Sequence, residues 1–363
     1  MYLYNIPALP LEMDLETKVV LKKVSEANRY LGELKGIAHS VPNEMILVNT
    51  LSLQEARDSS EIENIITTQD ELFQSDAQKQ SYPSLASKEV YKYVQALNFG
   101  YRKIKETNLL TINQILDIQA ILIENNAGIR KLPGTELKNE TTGDVIYTPP
   151  QSFDEIVCML KNLECFINDN SLSNLDPIIK MAIIHHQFES IHPFYDGNGR
   201  TGRIINILYF TKENVLDIPV LYLSRYINQN KQIYYSLLQK VRTENVWEEW
   251  ILFMLEGVIS TAKHTINIIL EIKRIMQSQK NQIRNKLPHI YNQDLLNNIF
   301  KHPYTKISFL QNDLRKSRPT ITYYLSELEK IGILKKVVYG RSNFYVNTEL
   351  YEFLLNINNK KQD

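Results

Sequence analysis

Apolar positions recur at helical spacing through the middle of the chain, at Ile115, Ile118, Ile121 and Leu122 and again at Ile156, Leu160, Leu163 and Phe166. A period near 3.6 predicts a mainly α architecture. Residues 12–35 and 51–75 also read as helices, and 86–106 reads as a long one ending near Thr107. A helical N-terminal region, 1–106, therefore precedes a central block at 107–265. One stretch departs from this pattern, LPGTELKNETTGDVIYTPP at 132–150, where Gly134 and the Pro149–Pro150 pair bracket two short segments around Thr142-Gly143-Asp144. Thr135, Leu137, Val145 and Tyr147 fit no helical stripe, so the stretch predicts a β-hairpin projecting from a helical body. Within the helix or linker at 266–284 and just beyond it, QSQKNQIRNKLPH loses its apolar spacing and reads as a linker into a smaller unit at 285–357. No internal repeat or low-complexity tract interrupts the chain.

Composition narrows the class. With 363 residues the chain is long enough for two or three domains, and 43% hydrophobic with 23% charged residues is ordinary for a globular protein. Lys plus Arg equals Asp plus Glu, 41 against 41, so no global field draws the protein to nucleic acid or membrane. The balance is uneven along the chain: residues 281–363 hold 13 basic against 7 acidic side chains, leaving 28 against 34 elsewhere. Cys158 and Cys165, seven apart in an amphipathic segment, are expected as reduced core residues, with no second pair for a disulfide framework or zinc site. The opening MYLYNIPALPLEMD lacks a signal-peptide pattern and no apolar run is long enough to cross a bilayer, so a cytoplasmic protein is expected.

Candidate chemistry is concentrated in residues 185–203, HHQFESIHPFYDGNGRTGR, which place three of the twelve glycines within six positions. A helix carrying Ile183, Ile184 and Phe188 should end near Ile191, where Pro193 turns the chain, and a second helix should run from about Gly199 through Ile204, Ile207 and Leu208. The glycines between them leave backbone N–H groups uncovered at a helix N-terminus, which favours an anion. Arg200 and Arg203, three apart, share a helix face and can grip neighbouring phosphates. Asp196 offers a hard oxygen to Mg2+, and His192 can take a proton near neutral pH. His185 and His186, adjacent on a helix, point in different directions and read as packing residues.

The run His192-Pro193-Phe194-Tyr195-Asp196-Gly197-Asn198-Gly199-Arg200-Thr201-Gly202-Arg203 resembles the signature of the Fic family of AMP transferases, with every position filled. The resemblance covers roughly residues 50–260 and implies transfer of AMP from Mg-ATP to a Ser, Thr or Tyr hydroxyl of a protein, with release of pyrophosphate. It implies His192 as the base and Asp196 as the Mg2+ ligand. Asn198 and the loop backbone through Gly197, Gly199, Thr201 and Gly202 would bind the α- and β-phosphates, Arg203 the γ-phosphate with Arg200 beside it, while Phe194 packs beneath the loop. Ser59-Ser60-Glu61-Ile62-Glu63-Asn64 resembles the family's inhibitory-helix motif, so Glu63 is expected to pair with Arg203 in cis and to border the nucleotide, with Ser59 and Asn64 completing the motif. The hairpin at 132–150 corresponds to the family's flap, on which a target segment would dock by strand addition. Tyr234 and Tyr235 resemble the adenine-side aromatics, with Tyr234 as first choice, and Gln187 is a further nucleotide contact. Self-modification is also implied, and two other outcomes stay open: removal of AMP, with Glu63 positioning a water, or an ATP-sensing transcription regulator.

The C-terminal segment ISFLQNDLRKSRPTITYYLSELEKIGILKKVVYGRSNFYVN reads as helix, turn, helix and two strands around Gly340, and resembles a winged helix-turn-helix. Arg315, Lys316, Arg318 and Thr320 then fall at or near the start of the second helix, where DNA would be contacted. A protein-interaction or dimerisation role, including a homodimer, is the competing expectation.

Overall fold

In a computed structural model, the structure describes residues 4–78, 82–138, 142–339 and 342–357. The chain runs through α1 (Lys18–His39), α2 (Glu44–Ile62), α3 (Gln69–Gln78), α4 (Leu85–Thr107), α5 (Ile112–Ile123), β1 (Leu137–Lys138), β2 (Val145–Tyr147) and α6 (Phe153–Asn168). It continues through α7 (Pro177–Ile191), α8 (Asn198–Lys212), α9 (Ser224–Gln229), α10 (Lys231–Glu244), α11 (Trp247–Lys286) and α12 (Gln293–Lys301). The last elements are β3 (Tyr304–Thr305), α13 (Ile307–Leu314), α14 (Arg318–Lys330), β4 (Leu334–Tyr339), β5 (Ser342–Asn347) and α15 (Thr348–Asn356). The architecture is mainly α with two small antiparallel sheets.

The predicted helix at 51–75 is two helices, because Asn64 adopts a left-handed conformation (φ 61°) and ends α2. The linker expected from QSQKNQIRNKLPH is helical as far as Lys286: α11 continues because Ile275, Met276, Gln279 and Ile283 stay buried on one face while Gln277, Ser278 and Asn281 are exposed. The two cysteines are free, as expected, but exposed rather than in the core. The buried stripe of α6 is Ile156, Leu160, Leu163, Phe166 and Ile167, and Cys158 and Cys165, two turns apart, fall together on the opposite face. Gly340 and residues 139–141 of the predicted hairpin lie outside the described residues.

The chain forms two compact units, one of residues 1–35, 55–66 and 92–263, the other of 36–54, 67–91 and 264–363. In the first, α7 and α8 form the centre and are buried on nearly every side. α7 starts at Pro177, with the Asp176 carboxylate accepting from the Ile178 N–H (2.8 Å), and the indole of Trp250 on α11 donates to the Ala182 carbonyl (2.9 Å). α5 begins with a reciprocal capping box between Thr111 and Gln114. Its Gln119 then donates to the backbone oxygen of Asp196 (3.1 Å), tying α5 to the loop between α7 and α8.

In the second unit, β3, β5 and β4 form an antiparallel sheet in that order. Asn347 and Gln279 exchange hydrogen bonds through their side-chain amides (2.8 and 3.0 Å), and Asn347 also caps α15. Asp70 accepts from the hydroxyls of Tyr304 (2.5 Å) and Tyr351 (3.0 Å). The turn between α13 and α14 is made by Arg315 in the left-handed region (φ 51°), and Ser317 caps α14 ahead of Pro319. Arg315, Lys316 and Arg318 are exposed and Thr320 is half-buried. Among the described residues no helix is long and apolar enough to cross a membrane.

Candidate functional site

The site is built where α7 stops. His192 takes a left-handed conformation (φ 48°), its N–H closing on the Phe188 carbonyl (3.0 Å), and Pro193 prevents the helix from continuing. The loop folds back over Phe194, which is buried against Phe188. Asn198 holds the turn closed: its side chain accepts from the Phe194 N–H (2.9 Å) and donates to the Phe194 carbonyl (2.8 Å). The side chain expected at the phosphates is thus engaged in fixing the loop, since the tight turn leaves both Phe194 backbone groups facing it.

α8 opens on Gly197, a left-handed residue (φ 81°) with no side-chain cap. A Cβ there would lie 2.8 Å from Ile123 Cδ1. Gly197→Ala is therefore expected to cost at least about 1–2 kcal/mol from backbone strain alone. A reduced denaturation midpoint checks this; an unchanged midpoint would contradict the strain. A Cβ on Gly199 would run into the Glu63 carboxylate, and one on Gly202 would lie 2.6 Å from Glu189 Oε1. At all three places a side chain is excluded by close approach. Thr201 is fully buried in the same turn.

Arg203 is almost completely buried, and its partners come from α2 and the residue just beyond it. Nε donates to Ser59 Oγ (2.8 Å), and one terminal nitrogen donates to the Ser59 carbonyl (2.9 Å) and to Glu63 Oε1 (2.8 Å). Burial works against the Arg203 charge, but Glu63 outweighs it and raises the guanidinium further above its ordinary range. Burial likewise opposes the Glu63 charge, yet Arg203 leaves its carboxyl below the usual range. Both shifts favour an ionised pair. Asn64, one residue after Glu63, contributes by its left-handed turn, which keeps the chain from continuing α2 beyond Ile62.

His192 itself is half-buried, and burial, with Arg130 and Arg242 adding to it, lowers its pKa to about 4. The imidazole is neutral near pH 7 and able to accept a proton. Asp196 points outward, with a side chain 68% exposed, accepting from the Gly197 N–H (2.6 Å) and standing 3.8 Å from Arg200. The Arg200 side chain is only 4% exposed.

Profiles of three protein domains match this chain: "Fic/DOC family N-terminal" at residues 21–102, "Fic/DOC family" at 109–210, and "Protein adenylyltransferase SoFic-like, C-terminal domain" at 275–350. The chain belongs to the Fic/DOC family. A stretch of 56 residues is 41% identical to protein adenylyltransferase fic-1 of Caenorhabditis elegans, covering 15% of this chain and 11% of that protein. Another of 96 residues is 28% identical to protein adenylyltransferase Fic of Drosophila erecta, covering 26% and 19%. The chain thus spans about a tenth to a fifth of the length of the curated relatives it matches. A crystal structure of a Fic family protein from Desulfovibrio desulfuricans shares the fold at a TM-score of 0.58, with 17% identity, over 98% of this chain and 99% of that one. Fic-1 from C. elegans does so at 0.53, with 19% identity, over 69% and 73%.

Several residues of this Fic chain that position the loop carry no signature in the sequence. Arg130, 1% exposed, donates from Nε to the His192 carbonyl (2.9 Å) and from a terminal nitrogen to the Pro150 carbonyl, while its own N–H bonds the Pro193 carbonyl (2.9 Å). It joins the base of the hairpin to the loop between α7 and α8. Tyr195 repeats the link from the other side, its hydroxyl accepting from the N–H groups of Lys131 (3.0 Å) and Leu132 (3.1 Å). Arg130→Ala would leave buried carbonyls without donors, a loss of about 1–3 kcal/mol each. Its expected result is a lower thermal midpoint; a midpoint equal to wild type would show that water replaces the guanidinium. Glu189, one turn before His192 on α7, is pushed up to about 7 by burial, with Arg203 opposing. Its only sequence signal is a charge within an otherwise enclosed helix.

The flap pairs Leu137 with Tyr147 and Lys138 with Val145. Tyr147 anchors it, donating its hydroxyl to the Ser190 carbonyl (2.8 Å) beneath the Arg242 guanidinium, 3.9 Å from the ring centroid. Gln187, expected at the nucleotide, donates instead to the Pro7 carbonyl (2.8 Å), because α7 turns that face towards the N-terminal segment. Tyr234 is in the core: it is 1% exposed, bonded through its hydroxyl to His185 Nε2 (2.9 Å) and packed against Trp250. Tyr235 presents the exposed ring on α10. His185 and His186 are enclosed packing residues held neutral by burial.

Proposed function

We propose that this chain is a protein adenylyltransferase whose own Glu63 holds it inactive. What carries the reading is the gathering of a neutral imidazole, an outward carboxylate and two buried arginines on one loop and the first turns of α8. Acid–base, phosphate and charge-neutralising groups then lie within twelve residues of each other. The hydroxyl of a Ser, Thr or Tyr on the target attacks the α-phosphorus of ATP and gives its proton to His192. The bond from that phosphorus to the bridging oxygen of pyrophosphate breaks, and the leaving charge falls on Arg200 and Arg203 and on the backbone N–H groups of the α8 terminus.

Asp196 would hold Mg2+, which supplies further charge neutralisation at the phosphates. A single outward carboxylate suits an ion that takes its other ligands from phosphate and water. A target segment would pair along the flap beside the exposed Val145 and Ile146, with self-modification a further outcome of the same chemistry. A cytoplasmic setting fits the use of ATP.

ATP labelled at the α-phosphate tests the reaction directly. Transfer puts label on protein with release of pyrophosphate, whereas label remaining wholly in free nucleotide, in the Glu63→Gly variant as well, would refute transfer. The pH dependence is specific as well. Because the His192 pKa is about 4, the base remains unprotonated well below the ordinary histidine value of about 6.5. Activity should therefore hold as pH falls through 6.5 and decline only towards about 4, read as the acidic limb of kcat/KM. An acidic limb near 6.5 would show that His192 is solvated rather than buried when it acts.

Removal of AMP is a second reading, supported by Glu63 remaining 35% exposed beside the loop, where it could orient a water. In that case Glu63→Gly would lose activity on AMP-modified protein.

A further inference from the structure

The contact between Glu63 and Arg203 depends on where α2 is held, and two interactions away from the loop hold it. Glu55 lies two turns before Glu63 and one before Ser59, on the same helix face. It is a carboxylate almost wholly out of solvent, 1% exposed. Three donors converge on it: the Tyr93 hydroxyl (2.9 Å, to Oε1), the Ser224 hydroxyl (2.5 Å, to Oε1) and the Ser224 N–H (3.2 Å, to Oε2). Tyr93 is on α4 and Ser224 opens α9, so this one side chain joins α2 to two separate elements of its compact unit. At the other end Lys231, the first residue of α10, donates to the Ile62 carbonyl (2.6 Å), closing the last turn before Glu63.

We infer that Glu55, through Ser224 and Tyr93, is the positioning residue that sets how firmly Glu63 engages Arg203. The inference rests on the inhibited-transferase reading. A buried carboxylate that accepts three donors is costly to leave in place without a partner. An amide of the same shape can keep its oxygen on the Ser224 N–H only by placing its NH2 group on the Tyr93 and Ser224 hydroxyls, both of which must then turn round to accept and give up their bonds to a carboxyl oxygen. Glu55→Gln therefore loosens α2 without removing bulk, and Ser224→Ala does so from the other side while leaving the carboxylate intact.

The experiment compares wild type, Glu55→Gln, Ser224→Ala, Glu63→Gly and the Glu55→Gln/Glu63→Gly double variant, each checked for folding by thermal melting. Amide hydrogen exchange across residues 55–63 and incorporation of AMP from α-labelled ATP are read in parallel. Both single variants are expected to exchange about tenfold faster over α2 and to incorporate several-fold more AMP than wild type. Glu55→Gln is expected to add less than about twofold once Glu63 is glycine, since an anchor has nothing to position when its cargo is gone. A purely structural role would instead lower incorporation by the same factor in both backgrounds, which overturns the inference, as does unchanged exchange in both single variants. If exchange rises but no variant, Glu63→Gly included, ever carries AMP, the anchor stands and the transferase reading fails.

Discussion

Glu63→Gly is expected to raise incorporation of AMP by roughly tenfold to a hundredfold. The size comes from the contact removed: a charge-assisted hydrogen bond contributes about 1.5–3 kcal/mol, and each 1.4 kcal/mol is a factor of ten. Arg203 is 2% exposed and Glu63 Oε1 is one of its three hydrogen-bond acceptors, so the carboxylate occupies a donor direction that the terminal phosphate would require. Substitution by glycine also clears the space over Gly199, where the Glu63 carboxylate now closes off the α8 terminus. Ser59 would continue to hold the guanidinium through Nε, so the arginine should stay in place while its outer nitrogen becomes available. Intact mass after incubation with ATP and Mg2+ reads the gain. Equal incorporation by wild type and variant would mean that Glu63 does not limit the enzyme.

His192→Ala in the Glu63→Gly background should abolish this gain, with a fall of about 10²–10⁴ fold, the usual contribution of a positioned base. ATP binding should persist, because the groups proposed to meet the phosphates are backbone N–H groups and arginines, and the loop is shaped by Asn198, Phe194 and Arg130 rather than by the imidazole. Titration calorimetry with ATP separates the two roles. Loss of binding together with loss of transfer would make His192 a structural residue of the turn, where its left-handed backbone already has one function.

The residues behind these two results differ in how far the sequence alone reveals them. His192, Asp196, Asn198 and both arginines stand in one contiguous run, so spacing alone brought them together. Glu63 is 140 residues from Arg203 in the chain, and its pairing was legible only through the likeness of a short motif. Arg130, Glu55, Ser224 and Lys231 left no pattern at all. Their partners are backbone carbonyls, or in the case of Glu55 hydroxyl and N–H donors, far along the chain, and neither periodicity nor composition records which distant group a buried side chain will meet. The amphipathic reading of α6 located the helix but misjudged its cysteines, because Cys counts as apolar in a pattern while the stripe that packs is made by Ile156, Leu160 and Leu163. Tyr234 and Tyr235 show the same limit: adjacent on α10, they differ in fate by the hundred degrees that separate neighbouring helix positions.

By itself the sequence determined the helical class, the turn at His192-Pro193, the glycine-lined start of α8 and the two basic side chains on its first turns, because each follows from backbone chemistry acting over a few residues. Tertiary structure decided which of those groups are already engaged. It placed α2 so that Ser59 and Glu63 meet Arg203, seated Arg130 between flap and loop, committed Asn198 to the turn and sank Tyr234 into the core. These outcomes depend on burial, and burial is set by what the rest of the chain packs against each residue.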